Sequence, residues 1–254
     1  MAEAGRPATR VVLVTAWSGV GKTTTGDYLG QYCGFYHHDG DNIMHKPHVP
    51  ECKQPTEDLV KAFREYWFLD KPCPKDIWQP YVDMLCDQIT QLRASQDTPI
   101  VVTFSVYRRE VRDHLRLHLG AGLEFLKLEC DVDVVVQAGF ERFADFAKTK
   151  GITMEQLWEE QQLDNEGIFN FDNYKSHYIS KYLQGMEPFG DDEADYKITS
   201  TTARDQSVFD GINSALSLGP RTAEVDYDML KAIQTERWKV LNKNTEKAST
   251  DAAL

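Results

Sequence analysis

Short apolar runs alternate with longer amphipathic segments along most of the chain. Residues 10–15 are Arg10 followed by a continuous run of β-branched and apolar residues, which is typical of a strand buried on both faces of a sheet. Residues 99–105 repeat this pattern, whereas residues 123–130 alternate more and predict a less buried strand. Shorter segments at 35–38 and 196–199 predict two further strands.

Segments with helical spacing lie between these strands. The clearest is 75–95, where Ile77 and Tyr81 begin a series of apolar residues spaced three and four apart. Thr153 and Gln156 have the spacing of a capping box and predict a helix start. Further helices are predicted at 22–33, 56–69, 131–148 and 205–216 and directly after 105, with a proline-rich loop at 43–55. Strands that alternate with helices indicate βαβ units, so we expect an α/β fold with a central, mainly parallel, five-stranded sheet.

The second half of the chain departs from this simple alternation. Residues 140–190 are rich in aromatic and polar residues and predict an insertion. Gly219 and Pro220 then mark a boundary. We predict one domain at 1–219, followed by a helical extension at 220–254. The extension has an apolar helical face that can pack on the core or on a second copy, so a homodimer through this helix is one expectation.

A glycine-containing loop, AWSGVGKT at residues 16–23, joins the first strand to the first helix. Its two glycines, Gly19 and Gly21, let the backbone wrap closely around phosphate oxygens. The backbone amides of the loop join the positive end of the helix. Lys22 supplies charge for the β- and γ-phosphates, and the hydroxyl of Thr23 can ligate Mg²⁺. The motif therefore predicts a nucleoside-triphosphate site. Its predicted binding residues are Ser18, Gly19, Val20, Gly21, Lys22, Thr23 and Thr24.

An acidic turn, Asp39 to Asn42, ends the second predicted strand. One of its two carboxylates can support Mg²⁺ through water, and the other can orient or deprotonate a substrate hydroxyl. The alternative is a solvated Asp-Gly turn that only joins a strand to a helix. The position of the turn beside the phosphate loop favours function. We therefore predict that Asp39 takes part in catalysis and supports the metal ion. Asp41 is predicted to take part in catalysis and to bind the substrate that carries this hydroxyl, called the acceptor below. Asn42 is predicted to bind the acceptor as well.

A basic stretch follows the third predicted strand and concentrates positive charge in an acidic protein. Arginine forks suit bidentate binding of carboxylate, phosphate or sulfate. The alternative is a helix with exposed arginines that pair with Glu110 and Asp113. Arg108 and Arg109 are the predicted acceptor-binding residues of this stretch, and Arg108 is also predicted to take part in catalysis by neutralising an anionic group.

Composition narrows the function classes. The formal net charge of −12 argues against broad nucleic-acid binding, which relies on clustered Lys and Arg. No apolar run approaches the roughly 18 residues of a membrane span. The five cysteines form no C-x-x-C pair, and the first residues lack the apolar core of a secretory signal. We expect a cytoplasmic protein with no membrane or nucleic-acid partner.

Three motifs together resemble one kinase group. The phosphate loop, residues 39–42 and residues 104–113 are similar to those of the gluconate kinase, shikimate kinase and adenylylsulfate kinase group, over about residues 10–148 and weakly at 196–216. The resemblance implies a three-layer P-loop NTPase fold, of the nucleoside-monophosphate-kinase-like type, that uses ATP and Mg²⁺. It also implies that the loop at 103–109 faces the acceptor, so Ser105 and Tyr107 are predicted acceptor-binding residues. The loop after the last strand, which includes Thr201 and Thr202, is implied to lie against adenine.

The chain also departs from this group. The insertion at 140–190 is much longer than the lid of a small gluconate or shikimate kinase, and it lacks a clean Arg-x-x-Arg pattern. Among the cations near its start, Arg142 is the predicted phosphate-contacting residue. We expect the insertion to act as an enlarged lid that closes over the site and excludes water.

Together, the motifs and the resemblance predict an ATP-dependent kinase that transfers the γ-phosphoryl group of MgATP to a small polar, anionic metabolite. A nucleoside or nucleotide acceptor is the main alternative, since Trp67, Trp78 or Phe104 could stack on a base. A P-loop ATPase or switch and a non-catalytic nucleotide-binding module stay open as other classes. No Asp ends the strand at 99–105, where P-loop ATPases place a metal-holding carboxylate, and this counts against the ATPase class.

Overall fold

The structure is a computed structural model that describes residues 9–44, 46, 49–161, 169–180, 185–193, 196–201 and 205–251. Its described strands are β1 (Val11–Thr15), β2 (Tyr36–Asp39), β3 (Ile100–Thr103), β4 (Leu123–Glu129) and β5 (Tyr196–Ser200). They form one five-stranded sheet in the order β2-β3-β1-β4-β5, and every neighbouring pair is parallel. The predicted α/β class and parallel sheet are therefore confirmed.

Helices fill the intervals between the strands. In the described part of the chain they are α1 (Lys22–Tyr32), α2 (Pro50–Lys61), α3 (Lys75–Ser95), α4 (Arg109–Leu119), α5 (Val132–Lys150), α6 (Met154–Gln161), α7 (Phe171–Tyr178), α8 (Ser207–Leu216) and α9 (Tyr227–Asp251). Among these residues, no helix combines the length and the apolar character that crossing a bilayer requires.

The central strand β1 shows why the fold has three layers. Val11 and Leu13 join an apolar core that also contains residues of α2, α3 and α4. Val12 and Val14 point to the opposite face and join a second core with residues of α1, α5 and α8. All four side chains are fully buried, as the apolar run predicted. Helices thus cover both faces of the sheet.

Parallel pairing brings the candidate loops to one edge of the sheet. In the register, Thr103 of β3 lies opposite Asp39 on one side and opposite Val14 on the other. The carboxyl ends of β1, β2 and β3 therefore meet, and the phosphate loop, the acidic turn and the residues after β3 follow them. Ligands bind at such edges in open α/β sheets.

The second helix begins earlier than the sequence predicted. We expected a loop at 43–55 and a helix from 56, but α2 starts at Pro50. Proline is favoured in the first turn of a helix, where its missing N–H would have no partner, so Pro50 begins this helix instead of preventing it. After α2 the chain widens into a π-helical turn at Ala62–Tyr66 and then tightens into a short 3₁₀ turn at Trp67–Leu69, which Asp70 caps.

The insertion has its own aromatic packing and its own cap. The N–H of Thr153 donates to Gln156 Oε1 at 2.8 Å, and the N–H of Gln156 donates to Thr153 Oγ1 at 3.2 Å, which confirms the predicted capping box. The predicted end of that helix near 163 lies outside the described residues. The aromatic rings of α5, α6 and α7, and of Phe169 just before α7, pack against one another. They are Phe140, Phe143, Trp158, Phe169, Phe171 and Tyr174.

The C-terminal helix packs on the core of its own chain. Leu230 is buried in the second core, and Ile233 packs against it. Gln234 Nε2 donates to Thr24 Oγ1 at 3.1 Å, and Arg237 forms an ion pair with the buried carboxylate of Asp27. The first of the two expected packing modes is therefore present. The homodimer and the division between 1–219 and 220–254 stay predictions.

Candidate active site

The phosphate loop has the backbone that its glycines predict. Gly19 and Gly21 have φ angles of 90° and 102°, in the left-handed region that disfavours residues with a Cβ. Gly21 is the N-cap of α1, so the first free amides of that helix border the loop. Thr23 and Thr24 lie in its first turn. A strand, a tight loop and a helix N-terminus together are an arrangement that suits anion binding, and phosphate binding by these residues stays a prediction.

Lys22 folds back over this loop. Its ammonium group donates to the carbonyl oxygens of Ala16 at 3.1 Å and Trp17 at 3.0 Å. Burial in the cleft lowers the pKa of Lys22 to about 8; the charge of Arg142 also lowers it, while Asp41 and Asp39 act in the opposite direction. The structure thus brings the predicted lysine, both predicted carboxylates and the predicted arginine into one electrostatic group.

The acidic turn packs tightly against the end of β3. Asp39 Oδ1 accepts a hydrogen bond from the N–H of Asp41 at 3.1 Å, and the hydroxyl of Tyr81 donates to the carbonyl oxygen of Gly40 at 2.8 Å. A Cβ on Gly40 would lie only 2.9 Å from the Cβ of Phe104, so this approach requires glycine. The half-buried Asn42 lies in the same turn.

Asp41 is exposed within the cleft, yet the protein that surrounds the cleft removes part of its solvation. This desolvation raises the pKa of Asp41 to about 6; the charge of Asp39 raises it further, and Lys22 lowers it. A carboxyl group with such a pKa is ionised at neutral pH and remains a competent proton acceptor.

Of the residues after β3, some contact the phosphate loop and others are buried against aromatic side chains. Ser105 Oγ donates to the carbonyl oxygen of Ala16 at 3.4 Å, which places it beside the phosphate loop. Tyr107 is buried, and its ring packs edge-on against Phe63 and Phe68 at centroid distances of 5.3 and 5.8 Å. Of these two predicted acceptor residues, the structure brings only Ser105 to the loop.

The two predicted acceptor arginines pair with carboxylates of the protein. Arg108 donates to Asp70 Oδ1 at 2.8 Å and lies 3.8 Å from a carboxylate oxygen of Glu187. Arg109 makes a bidentate pair with Asp192, at 3.0 and 2.6 Å, and also contacts Asp113. This arrangement agrees in part with the alternative of arginines paired with acidic side chains: the expected Asp113 is one partner, and Asp70, Glu187 and Asp192 are the others. The charges that act on Lys22 are those of Asp41, Arg142 and Asp39, and neither Arg108 nor Arg109 is among them.

Arg112 has a structural role that the sequence did not predict. Its side chain is fully buried and makes two hydrogen bonds of 2.8 Å to Glu193. The same guanidinium donates to the carbonyl oxygens of Glu187 and Pro188 and lies over the ring of Phe189. It anchors residues 185–193 against α4.

Two side chains of the insertion reach the phosphate loop. A Cβ on Gly19 would lie 2.7 Å from Nη2 of Arg142, so this guanidinium lies directly over the loop, and its contact with phosphate stays a prediction. The hydroxyl of the buried Tyr178 donates a hydrogen bond to the carbonyl oxygen of Ser18. No local motif marks Tyr178, because its role depends on how α7 packs.

A cavity of about 380 Å³ borders the other side of the loop. Thr201 lines it and donates to the carbonyl oxygen of Val20 at 3.1 Å, which joins the loop after β5 to the phosphate loop. Thr202, the second residue predicted there, lies outside the described residues. The sequence did not predict Phe209 or Tyr227, whose rings contact each other at 5.2 Å. The full lining is Gly19, Val20, Gly21, Thr24, Thr25, Cys130, Thr201, Val208, Phe209 and Tyr227.

The order of the parallel strands and the strand–loop–helix unit at residues 11–32 establish the fold class. The fold is that of the P-loop NTPases. No protein-family model matches the sequence, and no curated protein matches it.

Solved structures similar to the chain include three bacterial kinases. A gluconokinase from Sinorhizobium meliloti 1021 has 20% identity, covers 84% of this chain and 93% of its own, and has a TM-score of 0.48. A sugar kinase from Janibacter sp. HTCC2649 has 17% identity, coverage of 84% and 96%, and a TM-score of 0.47. Shikimate kinase from Bacteroides thetaiotaomicron has 12% identity, coverage of 83% and 99%, and a TM-score of 0.43.

Proposed function

We propose that this protein is an ATP-dependent kinase that transfers the γ-phosphoryl group of MgATP to a hydroxyl group of a small polar, anionic metabolite. The observation that supports this most is the position of the phosphate loop, with Lys22 folded over it, at the same carboxyl edge of the sheet as the acidic turn that carries Asp41. A phosphate-binding cation and a carboxylate with a raised pKa then flank the place where the phosphoryl group would move.

The phosphate loop is proposed to bind the nucleotide phosphates. The amides from Ser18 to Thr24 and the ammonium of Lys22 would stabilise negative charge on the β- and γ-phosphates. Lys22 now donates to two loop carbonyls, and its nitrogen would exchange these bonds for phosphate oxygens. Arg142, which lies over Gly19, would neutralise negative charge on the transferred phosphoryl group.

The donor groups beside the loop suit Mg²⁺. The Thr23 hydroxyl and the Asp39 carboxylate offer oxygen atoms, which this ion prefers over nitrogen or sulfur. When bound, Mg²⁺ would neutralise charge that develops on the phosphate oxygens. Thr23 would ligate it directly and Asp39 would support it through water.

The cavity of about 380 Å³ is proposed to hold the nucleobase. Thr201 ties its wall to the phosphate loop, and the exposed ring of Tyr227, which packs on the buried Phe209, offers an aromatic surface. Aromatic rings bind bases by stacking, with little preference among them. The preference for ATP over GTP therefore rests on the resemblance to the kinase group.

Asp41 is proposed to bind the acceptor hydroxyl and receive its proton. Its raised pKa, about 6, matches this role near neutral pH. Asn42 and Ser105 would position the acceptor from the adjoining loops. Arg108 would interact with an anionic substituent, and this requires it to give up its contact with the exposed carboxylate of Asp70.

A nucleoside or nucleotide acceptor loses its main support. Trp67, Trp78 and Phe104, the aromatic residues expected to stack on a base, are at most 2% exposed and belong to the first core. Their faces already contact protein. A small acceptor without a base is therefore the favoured substrate class.

The test is ADP release from purified protein with MgATP, screened against pools of sugar acids, polyols, sulfonates, amines, nucleosides and adenylylsulfate. We expect release only with pools of anionic hydroxylated metabolites, and none from Lys22→Ala. Release that is equal with every pool would favour an ATPase or switch. Tight ATP binding without release in any pool would favour a non-catalytic module.

A further inference from the structure

Two histidines and an aspartate meet on the surface between α3 and α4. His114 and His118 are four residues apart on α4, so they share one face of the helix, and their ring centroids are 4.2 Å apart. Asp83 projects from α3, and its Oδ1 lies 2.6 Å from Nε2 of His114. One ligand atom from each of the three residues lies within 4.8 Å of the other two.

Neighbouring side chains orient two of these three groups. The second oxygen of Asp83 accepts a hydrogen bond from Gln79 Nε2 at 3.4 Å, one helical turn earlier. The ring of His114 stands perpendicular to the buried ring of Trp78, at a centroid distance of 5.4 Å. Partners of this kind hold metal ligands in position in metalloproteins.

We propose that Asp83, His114 and His118 form a binding site for a divalent transition-metal ion of the zinc class. Two imidazole nitrogens and one carboxylate oxygen are the donor set of three-ligand zinc sites, in which the fourth position is taken by water or another small ligand. Imidazole nitrogen favours Zn²⁺, Cu²⁺ and Ni²⁺ over Mg²⁺ and Ca²⁺, so this site differs in chemistry from the oxygen donors at the phosphate loop.

The distances allow this coordination after small side-chain rotations. Zn²⁺ bonds to nitrogen and oxygen are about 2.0–2.2 Å, so tetrahedral ligand atoms lie about 3.3 Å apart. The His114–Asp83 distance would widen slightly, and His118 would move inward. Asp83 is 42% exposed and His118 is exposed, so both side chains have room to move. Nε2 of a neutral His114 would bind the metal while the proton of the ring stays on Nδ1.

The metal would connect two helices that cover the same face of the sheet. Asp83 belongs to α3 and both histidines belong to α4, and residues of both helices join the first core. A bound ion would therefore stabilise the folded chain, because it binds the native state and not the unfolded one. This role does not depend on the kinase activity.

The experiment uses the full chain, treated with a chelator and dialysed, then titrated with Zn²⁺ against a competing chromophoric chelator. We expect one saturable site per chain and a higher unfolding temperature with Zn²⁺. His118→Ala should weaken binding at least about tenfold and abolish the metal-dependent rise in unfolding temperature. Because His118 is exposed, this variant should keep the metal-free unfolding temperature of the wild type. Leu117→Ala, an exposed neighbour on α4, is the matched control and should bind Zn²⁺ like the wild type.

Cysteine thiolates are the competing zinc ligands, and Cys33 and Cys130 are the partly exposed ones among those described. Co²⁺ distinguishes the two kinds of site, because thiolate ligands produce intense near-ultraviolet charge-transfer bands that nitrogen and oxygen ligands do not. We expect a Co²⁺ spectrum without these bands that is lost in His118→Ala. Equal Zn²⁺ affinity in wild type and His118→Ala, thiolate bands that vanish in Cys130→Ser, or no saturable binding in the wild type would each overturn the proposal.

Discussion

The hydroxyl of Tyr178 donates a hydrogen bond to the carbonyl oxygen of Ser18, which joins helix α7 of the insertion to the phosphate loop. Arg142 of α5 makes the second connection, since its guanidinium lies over Gly19. The insertion therefore contacts the phosphate loop at two points, the carbonyl oxygen of Ser18 and the backbone of Gly19. Its position depends on the aromatic packing of α5, α6 and α7, so this packing and the shape of the loop are coupled.

Removing the hydroxyl of Tyr178 should weaken nucleotide binding. A hydrogen bond of this kind contributes about 1 kcal/mol, so Tyr178→Phe should raise the KM for ATP about fivefold with a smaller change in kcat. Tyr174→Phe is the control, because that ring packs one turn earlier against Phe140 in the same aromatic cluster. Steady-state kinetics with varied ATP measure both. Equal KM values for the two variants would mean that the contact does not order the loop.

The dependence of kcat/KM on pH should be bell-shaped. Asp41 must be ionised to accept a proton, so activity should rise as pH passes about 6. Lys22 must be protonated to bind phosphate, so activity should fall as pH passes about 8 in the free enzyme. Bound phosphates would raise the pKa of Lys22, so the alkaline limb of kcat should lie at higher pH than that of kcat/KM.

Asp41→Asn tests the acidic limb of this profile directly. Loss of the proton acceptor should lower kcat/KM by about 10²–10⁴ and flatten the rise near pH 6. Asp172→Asn, an exposed carboxylate on α7, should leave the profile unchanged. An Asp41→Asn variant that kept the acidic limb would assign that limb to another group.

Two glycines of α1 should respond in opposite directions to the same substitution. A Cβ on Gly26 would lie 2.4 Å from Nε2 of His37, which is held by Asp27 at 2.8 Å and Thr103 at 3.0 Å and cannot move away. Gly26→Ala should therefore lower the free energy of unfolding by about 1–3 kcal/mol. The nearest atoms to a Cβ on Gly30 lie at 3.6 Å, so Gly30→Ala should be neutral or stabilising by up to about 1 kcal/mol. Urea denaturation of the two variants measures the difference, and equal destabilisation would contradict the packing around His37.

The Arg112–Glu193 pair should make stability depend on pH. Burial alone would raise the pKa of Glu193, but hydrogen bonds from Arg112, the Gly190 N–H and Arg116 lower it to about 2. A carboxyl group whose pKa is lower in the folded state stabilises the protein above its unfolded pKa, and loses this contribution as pH falls toward the folded value. The loss should total about 2–4 kcal/mol.

Glu193→Gln is the comparison for this pair because it cannot titrate. Urea denaturation at about pH 6, 4 and 3 should show the wild type losing stability relative to the variant as the pH falls. A constant difference in the free energy of unfolding across this range would contradict the lowered pKa of Glu193.

The sequence predicted the fold well because its elements are encoded locally. The apolar run of β1 and the capping box at Thr153 each need only neighbouring residues, and both are present as predicted. The order of the strands in the sheet depends on long-range packing, and no local spacing carries that information. Pro50 was misjudged for a local reason, since proline is favoured in the first turn of a helix, and α2 also continues through Pro55.

The site likewise contains parts that local sequence encodes and parts that only long-range packing determines. The phosphate loop and the acidic turn are contiguous motifs, and the structure brings both to one edge of the sheet. The pairing of Arg109 with Asp192 joins residues 83 positions apart, so the sequence could not reveal it. Tyr178 and Tyr227 reach the loop and the cavity through the packing of α7 and α9, and only the tertiary structure places them there.

The most direct test of the proposed kinase activity is ³¹P NMR of the protein with MgATP and the acceptor that stimulates ADP release. We predict that a new phosphoester signal grows at the same rate as ADP, with no inorganic phosphate. Lys22→Ala should slow this transfer by about 10²–10³ or more while it keeps the wild-type unfolding temperature. Lys53→Ala, an exposed lysine on α2, should transfer phosphate like the wild type. Inorganic phosphate in place of a phosphoester, or undiminished transfer by Lys22→Ala, would contradict the account.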